Sequence, residues 1–332
     1  RVLEAVNSDG RLRGSTQFCG ASRTGRSTGR IFQPLNLPRP NKAQAAQVPE
    51  AVEALRHGCA DLLYRDVHDK AVYALRGVVI APRGRRLAVC DWSAIEGRLM
   101  AWHTGEAWAL KAYGRGDDVY RIAYRRGWGL PDGAEVSEDQ RQVGKVLSLS
   151  HQFEGAVGAL LTMAGNYAID LNELGDAAWR SASDELKDKA EWLWGFAQLR
   201  HATHDLPHDL YVKLECAKLL WRGAHPATVQ FWRDLKEAAK EAVRAPGSVH
   251  RVRRCSLTCR ANMLALRLPS GRMILYAAPR IRDEEVEDED GNVRVSQALT
   301  YKAPYGGRDY LYGGKLANAA TQGLARDIMW KA

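Results

Sequence analysis

The clearest pattern in this 332-residue chain is a predicted helix at residues 139–160. Ser137 and Gln140 form a potential capping box that begins the helix just before Arg141. Four residues recur at every fourth position and share one broad helical face: Arg141, Lys145, Leu149 and Phe153. Cations bind phosphates and an aromatic ring can contact a base, so this face fits a nucleoside triphosphate. Spacing alone favours a second interpretation, an amphipathic surface helix with two solvated cations.

A second motif surrounds Asp91. Residues 87–90 form a short apolar run that predicts a buried strand, and a helical pattern through Ile95, Leu99 and Trp102 follows it. A carboxylate at the end of a strand can hold Mg²⁺ beside a backbone carbonyl. The same position is also typical of a helix N-cap, so the run by itself leaves both interpretations open.

Four segments resemble the family A, DNA polymerase I-like, DNA polymerases of the phage and prophage type. Asp-Trp-Ser-Ala-Ile-Glu-Gly-Arg at residues 91–98 resembles motif A, and residues 141–155 resemble motif B, the nucleotide-binding helix of the fingers. Upstream, Thr-Gly-Arg at 24–26 and Gln-Pro-Leu-Asn-Leu-Pro at 33–38 resemble the family's Thr-Gly-Arg and Gln-Asn-Ile-Pro segments. Residues 312–327 resemble the palm helix that precedes motif C. These motifs follow the family's order and span nearly the whole chain.

The resemblance implies an α+β fold with right-hand polymerase architecture, an antiparallel-sheet palm and mainly helical fingers. It divides the chain into a thumb-to-palm connection with primer–template contacts at 1–42, palm with motif A at 43–105, helical fingers with motif B at 106–250, and a return to the palm with a hairpin and a helix at 251–332. The residue patterns predict helices over 43–75 and 106–244, and strands over 263–276 and 293–301 with a turn at Ser270 and Gly271. The acidic residues 283–290, followed by Gly291 and Asn292, predict a solvated hairpin tip.

The activity implied by the resemblance is nucleotidyl transfer from a dNTP to a primer 3′-hydroxyl. Asp91 would be one of two carboxylates that hold two Mg²⁺ ions, and Trp92 would lend its backbone carbonyl. Arg141 and Lys145 would bind the triphosphate, and Lys145 could protonate the departing pyrophosphate.

The remaining matches concern the base, the sugar and the DNA. Phe153 would stack on the templating base pair, and Leu149 occupies the position that governs dideoxynucleotide tolerance in the family. Glu96 matches the steric gate against a ribose 2′-hydroxyl, although an exposed helix carboxylate paired with an arginine is its alternative role. Tyr120 stands where many relatives have a phosphate-contacting histidine, and Arg98 matches a residue near the primer end or a structural ion-pair partner. Three residues match positions that touch the minor groove of the primer–template, where a polar side chain senses pairing geometry: Arg26, Asn36 and Gln322.

The sequence departs from the family by lacking motif C, which supplies the second metal carboxylate. We therefore expect a fragment of palm plus fingers with little or no polymerase activity of its own. The competing hypothesis is a noncatalytic polymerase relic that binds nucleic acid through its arginine-rich face.

Charge and composition agree with a polyanionic partner. The net charge is +9 and the isoelectric point is near 9.3, which favours primer–template DNA and dNTPs as partners. There is no apolar run long enough to cross a bilayer, and the six cysteines show no paired Cys-x-x-Cys pattern. We expect a monomer without membrane contact, with reduced thiols, in the cytoplasm of a bacterial host.

Overall fold

The computed structural model describes residues 2–33, 37, 40, 42–287, 293–304 and 306–331. The chain divides into two compact units, Arg1–Ser93 and Ala94–Ala332. Each unit is held together by its own internal contacts. All six cysteines are free thiols.

The first unit contains short helices and one small antiparallel ladder. In chain order its elements are α1 (Val2–Ala5), β1 (Thr16–Gln17), β2 (Thr28–Gly29), α2 (Lys42–Arg56), α3 (Ala60–Leu63) and α4 (Val67–Ala74), followed by a 3₁₀ turn at Leu75–Val78. Helix α2 packs against α4, where Gln44 Nε2 donates a 3.0 Å hydrogen bond to Tyr73 Oη. Asp66 begins α4 by accepting a hydrogen bond from a backbone N–H of its first turn. The helical pattern predicted over 43–75 is confirmed.

The apolar run at residues 87–90 is irregular rather than a strand. Leu87 is 55% exposed and Val89 is 87% exposed. Among the described residues no strand pairs with this run, so its backbone and side chains face water. The prediction of a buried strand that ends at Asp91 is therefore wrong. The helix predicted after it is confirmed, because α5 (Ile95–Thr104) begins four residues later.

The second unit opens with a run of helices. After α5 come α6 (Ala107–Arg115), α7 (Val119–Gly127), α8 (Glu138–His151), α9 (Val157–Tyr167), α10 (Leu171–Ser181), α11 (Asp184–Leu199), α12 (His208–Ala224) and α13 (Pro226–Arg244). Short polar side chains begin several of them: Asp118, Asp170 and Ser183 accept hydrogen bonds from first-turn backbone N–H groups of α7, α10 and α11. The predicted helical character of residues 106–244 is confirmed.

Helix α13 contributes to the hydrophobic core of this unit. Its apolar stripe is buried as predicted: Phe231, Trp232, Leu235 and Ala239. The buried Glu106 carboxylate accepts a 3.2 Å hydrogen bond from the Thr228 backbone N–H, which satisfies a donor in the first turn of α13. Pro226 occupies the first helical position, where its missing N–H costs nothing.

Two antiparallel sheets follow α13. The first has the order β3 (Val249–Val252), β4 (Cys255–Arg260), β5 (Met263–Arg267) and β6 (Met273–Ala277), and the second has the order β7 (Arg280–Glu287), β8 (Val293–Lys302) and β9 (Arg308–Tyr310). The turn predicted near Gly271 is present, with a φ of 88° that favours glycine. Strands β7 and β8 form a hairpin, as predicted. Residues 283–287, predicted to lie in its solvated tip, are instead paired in β7, and residues 288–292 lie outside the described residues. Strands β3 and β4 have no counterpart among the sequence predictions.

Helix α14 (Gly313–Met329) ends the described fold and packs against α5 and α13. The buried Asp327 carboxylate on α14 accepts hydrogen bonds from Ser270 Oγ at 2.5 Å and from Arg272 Nε at 2.8 Å. Arg272 also donates to the backbone carbonyl of Gly323 at 2.8 Å. This network fixes α14 to the turn between β5 and β6.

The observed fold is α+β, as predicted, with helices and small antiparallel sheets. Within the part of the chain that the structure describes, no helix combines the length and the apolar character needed to cross a bilayer.

Candidate functional site

Helix α8 carries the two cations on which the sequence argument depends. The capping box is present: Ser137 Oγ accepts from the Gln140 backbone N–H, and Gln140 Oε1 accepts from the Ser137 backbone N–H. Arg141 and Lys145 follow at the first and second turns of the helix, and both are partly buried. The capping box therefore fixes where α8 begins, and with it the positions of Arg141 and Lys145 on the helix.

Carboxylates hold the Arg141 guanidinium. Its Nε donates to Asp118 Oδ2 at 2.5 Å, and its Nη1 donates to Glu138 Oε1 at 3.1 Å. Partial burial raises the pKa of the Asp118 carboxyl, but hydrogen bonds from Arg141 and from the Arg121 backbone outweigh burial, and the net pKa is lowered. Asp118 is therefore ionised at neutral pH and orients the arginine while it caps α7.

A tyrosine ring lies beside each cation. Arg141 Cζ lies 5.8 Å from the centre of the Tyr120 ring, and Lys145 Nζ lies 4.5 Å from the centre of the Tyr167 ring. Both distances are in the range of cation–π attraction. We call these four residues the cation–tyrosine cluster: Tyr120, Arg141, Lys145 and Tyr167.

The surroundings of Tyr120 show which groups lie near one another. Burial raises the pKa of its phenol, and the nearby Tyr167 raises it further, whereas Arg141 lowers it. Asp118 and Glu96 each add a smaller upward contribution. Glu96, in the first turn of α5, therefore lies close enough to the cation–tyrosine cluster to affect its electrostatics.

A glycine sets the spacing between α7 and α8. A Cβ atom at Gly144 would lie 2.3 Å from the Tyr120 carbonyl oxygen, far inside van der Waals contact. Only a residue without a side chain allows this approach. Gly144 stands between Arg141 and Lys145 in the sequence, so the same helix turn presents the cations and brings Tyr120 close to them.

Phe153 is not part of the helix. Helix α8 ends at His151, and Glu154 adopts a left-handed φ of 64°. Gly155 lies in a turn where a Cβ would be 1.9 Å from the Ser150 carbonyl oxygen. The expectation that one continuous helical face carries Phe153 is therefore wrong, because this turn redirects the chain. Leu149 remains on the helix, partly buried.

The turn after α8 contacts the start of α14. Glu154 Oε2 accepts a 2.7 Å hydrogen bond from the Gly314 backbone N–H, and a Cβ at Gly314 would lie 2.2 Å from the Phe153 carbonyl oxygen. On α13, Trp232 Nε1 donates a 3.2 Å hydrogen bond to the Gln152 carbonyl. These contacts with α14 and α13 hold the chain on both sides of Phe153.

Arg98 lies on α5 against a tyrosine of α6. Its guanidinium carbon is 4.9 Å from the centre of the Tyr113 ring, and its Nη1 donates to the Tyr113 carbonyl at 3.4 Å. A Cβ at Gly97 would lie 2.1 Å from the Tyr113 hydroxyl oxygen, so this glycine brings the ring next to Arg98. The contacts agree with the structural role that the sequence left open for Arg98, and its role near a primer end stays a prediction.

Asp91 and Trp92 belong to the first unit and are exposed in an irregular segment. A carboxylate and a backbone carbonyl are hard oxygen donors, which is the donor chemistry that Mg²⁺ prefers. Among the described residues no three histidine, cysteine, aspartate or glutamate side chains are grouped as a metal site. The convergence of Asp91 with Lys145 stays a prediction.

The predicted DNA-contacting residues lie in both units. Arg26 is exposed after the tight turn in which the Gly25 N–H donates to the Ala21 carbonyl at 2.8 Å. Gln322 is partly buried on α14. Asn36 lies outside the described residues.

The sequence predictions missed three residues of this region. Asp118 has a local signal, because an aspartate before an apolar helical pattern is typical of an N-cap. Gly144 has a weaker signal as a glycine inside a helix. Tyr167 has none, because only the packing of α9 beside α8 brings it to Lys145.

Comparison with known proteins gives one informative similarity. The chain is 29% identical over 331 residues to a protein named DNA polymerase from Bacillus phage SP02. The alignment covers 98% of this chain and 44% of that relative, so the chain spans less than half of the relative's length. No protein-family model matches the chain.

Proposed function

We propose that this chain is the nucleotide-binding part of a template-directed DNA polymerase of family A, which transfers a nucleotidyl group from a dNTP to a primer 3′-hydroxyl. The observation that carries the proposal is the cation–tyrosine cluster, in which Arg141 and Lys145 lie one helical turn apart. Similarity to a phage DNA polymerase along almost the whole chain supports the same function.

The chemistry of the two cations suits a triphosphate. The Arg141 guanidinium has five N–H donors, which exceed the two hydrogen bonds it makes to Asp118 and Glu138. The remaining donors can bind phosphate oxygens in a planar fork. Lys145 contacts the face of the Tyr167 ring, and this contact uses none of its N–H groups for a hydrogen bond. Its ammonium group can therefore bind a phosphate as a point charge and donate a proton to the departing pyrophosphate.

The other roles follow from the resemblance and from position. Glu96 lies near Tyr120, as a residue that excludes a ribose 2′-hydroxyl beside the bound nucleotide would. Asp91 and the Trp92 carbonyl would hold Mg²⁺. When bound, Mg²⁺ neutralises charge on the transferring phosphoryl group. Primer–template DNA would be the second partner, contacted by residues that include Arg26 and Gln322.

The test of the nucleotide site is dNTP binding by the Lys145→Ala variant. We expect the dissociation constant to rise about 10- to 100-fold, because a charge-assisted contact to phosphate is lost. Titration calorimetry measures the change. Lys189→Ala, which removes an exposed cation of α11, is the matched control and should bind normally. Equal affinity of the Lys145→Ala variant and the control would reject the site.

Primer extension distinguishes the polymerase from the noncatalytic alternative. With Mg²⁺, dNTPs and a primer–template, we expect the intact protein to extend the primer and its Asp91→Ala variant to bind DNA without extending it. Binding without extension by the unaltered intact protein would favour the relic. Full activity of the Asp91→Ala variant would overturn the metal assignment.

A further inference from the structure

A long stretch of the second unit carries positive charge only. Between Glu241 and Asp283 the sequence contains no aspartate or glutamate. It contains nine arginines: Arg244, Arg251, Arg253, Arg254, Arg260, Arg267, Arg272, Arg280 and Arg282. Six of the nine belong to the sheet of strands β3 to β6: Arg251, Arg260 and Arg267 lie on its strands, and Arg253, Arg254 and Arg272 lie in its turns.

One face of the sheet is buried, and the other is exposed except near its centre, where Ala265 is buried. Side chains alternate along each strand. The buried face includes Leu257, Leu264, Leu266, Ile274 and Tyr276, all close to fully covered, and this sheet packs on α13. The opposite face is defined here as the arginine face by six residues: Val249, Arg251, Arg260, Arg267, Met273 and Leu275.

Strand register places the charges of the arginine face in a fixed array. Arg251 is opposite Ser256, Ser256 is opposite Arg267, and Arg267 is opposite Met273. Arg251 and Arg267 are thus separated by one strand, roughly 10 Å between backbones. Arg260 lies four residues beyond Ser256 on β4, roughly 13 Å away.

These arginines are not used within the fold. Arg251, Arg260 and Arg267 are exposed and form no ion pair with any residue that the structure describes. In contrast, Arg244 pairs with Glu241, and Arg272 pairs with Asp327 at 2.8 Å. Arg244 and Arg272 are therefore paired within the protein, whereas Arg251, Arg260 and Arg267 can each bind an external anion.

Aliphatic side chains lie among these charges. Val249 is 59% exposed, Met273 is 56% exposed and Leu275 is 52% exposed. Val249 and Leu275 lie at the two ends of one row across the sheet, with the partly buried Thr258 and the buried Ala265 between them. Met273 lies at the end of the neighbouring row, opposite Arg267. A duplex presents phosphates and keeps its bases stacked inside, so it leaves these exposed aliphatic side chains without a partner. A single strand presents both phosphates and base faces.

We propose that the arginine face binds single-stranded DNA, with phosphates on the arginines and bases on the exposed side chains of Val249, Met273 and Leu275. The inference extends the proposed polymerase function, which needs an unpaired template strand, but the binding itself requires neither dNTP nor catalysis. The exposed arginines of one sheet face and the absence of acidic residues from this stretch are the features that carry it.

The experiment measures binding of a fluorescent oligothymidylate to the 332-residue chain, without Mg²⁺ or dNTPs, over a series of salt concentrations. Replacement of Arg251, Arg260 and Arg267 by Gln should weaken binding about 10- to 100-fold at low salt and reduce the salt slope by about 2. The matched control replaces three exposed cations on helices by Gln: Arg180, Lys189 and Arg233. The control should change affinity less than twofold.

A second variant separates single-strand binding from simple charge attraction. Met273→Ser with Leu275→Ser should weaken oligothymidylate binding severalfold and leave duplex binding unchanged. Equal loss for both nucleic acids would show duplex binding and overturn the proposal. If the arginine variant binds oligothymidylate like its control, the proposal fails. If that variant in addition changes self-association in sedimentation, the face is a protein interface. Thermal unfolding of each variant checks that the sheet is folded.

Failure of the dNTP-binding test at Lys145 leaves this inference standing, because the oligothymidylate measurement contains no nucleotide triphosphate. Failure of oligothymidylate binding at the sheet likewise leaves the proposed polymerase function standing.

Discussion

Asp118, beside the cation–tyrosine cluster, has two roles. Asp118 caps α7 through backbone N–H groups and also orients Arg141. Tyr167 lies at the end of α9 and faces Lys145. A negative charge beside Arg141 would also compete with a phosphate. Removal of the Asp118 charge therefore weakens dNTP binding if its main effect is to orient Arg141. It strengthens dNTP binding if its main effect is to compete with the phosphate.

Asp118→Asn separates the charge from the cap. Asparagine caps a helix about as well as aspartate, so stability should change by less than about 1 kcal/mol. Loss of the ion pair frees the guanidinium to sample other rotamers, and we expect dNTP affinity to fall about three- to tenfold. Titration calorimetry measures this change.

The matched control for that variant is Asp170→Asn, which alters a capping aspartate of α10. It should leave dNTP affinity unchanged. Tighter dNTP binding by Asp118→Asn would show that Asp118 competes with the phosphate instead of positioning the arginine.

Helices and strands approach one another most closely at glycines. Gly144 allows α8 to contact α7, and Gly314 allows α14 to contact the turn after α8. Both contacts are with backbone oxygen atoms, which cannot rotate away as a side chain can. The relative positions of these helices therefore depend on two glycines, which have no side chain.

Gly144→Ala tests this dependence. The added Cβ would lie 2.3 Å from the Tyr120 carbonyl oxygen, so α7 and α8 must separate. We expect the free energy of unfolding to fall by about 1–3 kcal/mol and dNTP affinity to fall with it. Denaturant unfolding measures the first quantity.

Gly223→Ala on α12 is the control, because no atom lies within 4 Å of the Cβ position. It should be neutral or stabilise the protein by up to about 1 kcal/mol, since alanine favours helix more than glycine does. A stable Gly144→Ala variant with normal dNTP affinity would contradict the packing argument.

Three buried histidines make the stability of the second unit depend on pH. Burial lowers the pKa of His103 to about 4, of His151 to about 3 and of His225 to about 4. His151 Nδ1 donates to the Gly155 carbonyl at 3.0 Å, and His225 Nδ1 donates to the Trp221 carbonyl at 2.8 Å. Protonation would place a charge where water cannot reach it.

Stability should therefore fall as the pH falls. Each histidine has a folded-state pKa below its unfolded value of about 6.5, so the unfolded chain binds more protons between about pH 6.5 and pH 4. The contribution is fully present above pH 6.5 and is lost as the pH falls toward the folded-state pKa. The upper limit is about 1.4 kcal/mol per histidine per pH unit. Denaturant unfolding between pH 7.5 and pH 5 measures the slope.

Substitution identifies the source of that slope. His225→Gln should reduce the slope by up to about 1.4 kcal/mol per pH unit, the share of one histidine. His57→Gln, which replaces an exposed histidine, should leave it unchanged. A slope that is identical in both variants would show that other groups control acid sensitivity.

Local interactions explain what the sequence determined by itself. The capping box of α8, the apolar stripe of α13, the turn at Gly271 and the strands β5, β6 and β8 depend on neighbours within a few residues, and these predictions are confirmed. The predicted alternation holds for β6, whereas β5 buries three consecutive residues and β8 does not alternate over 295–302. The four-residue spacing also correctly placed Arg141 and Lys145 on one helix.

Tertiary structure decided the rest, because those outcomes depend on partners far along the chain. The run at 87–90 has strand-like composition, but no strand in the described part of the chain pairs with it, and its side chains are exposed. Phe153 leaves the helix because the chain turns to meet α14 and Trp232. Tyr167 reaches Lys145, and the arginines of β3 to β5 share one face, only through packing and strand register, which no local spacing encodes.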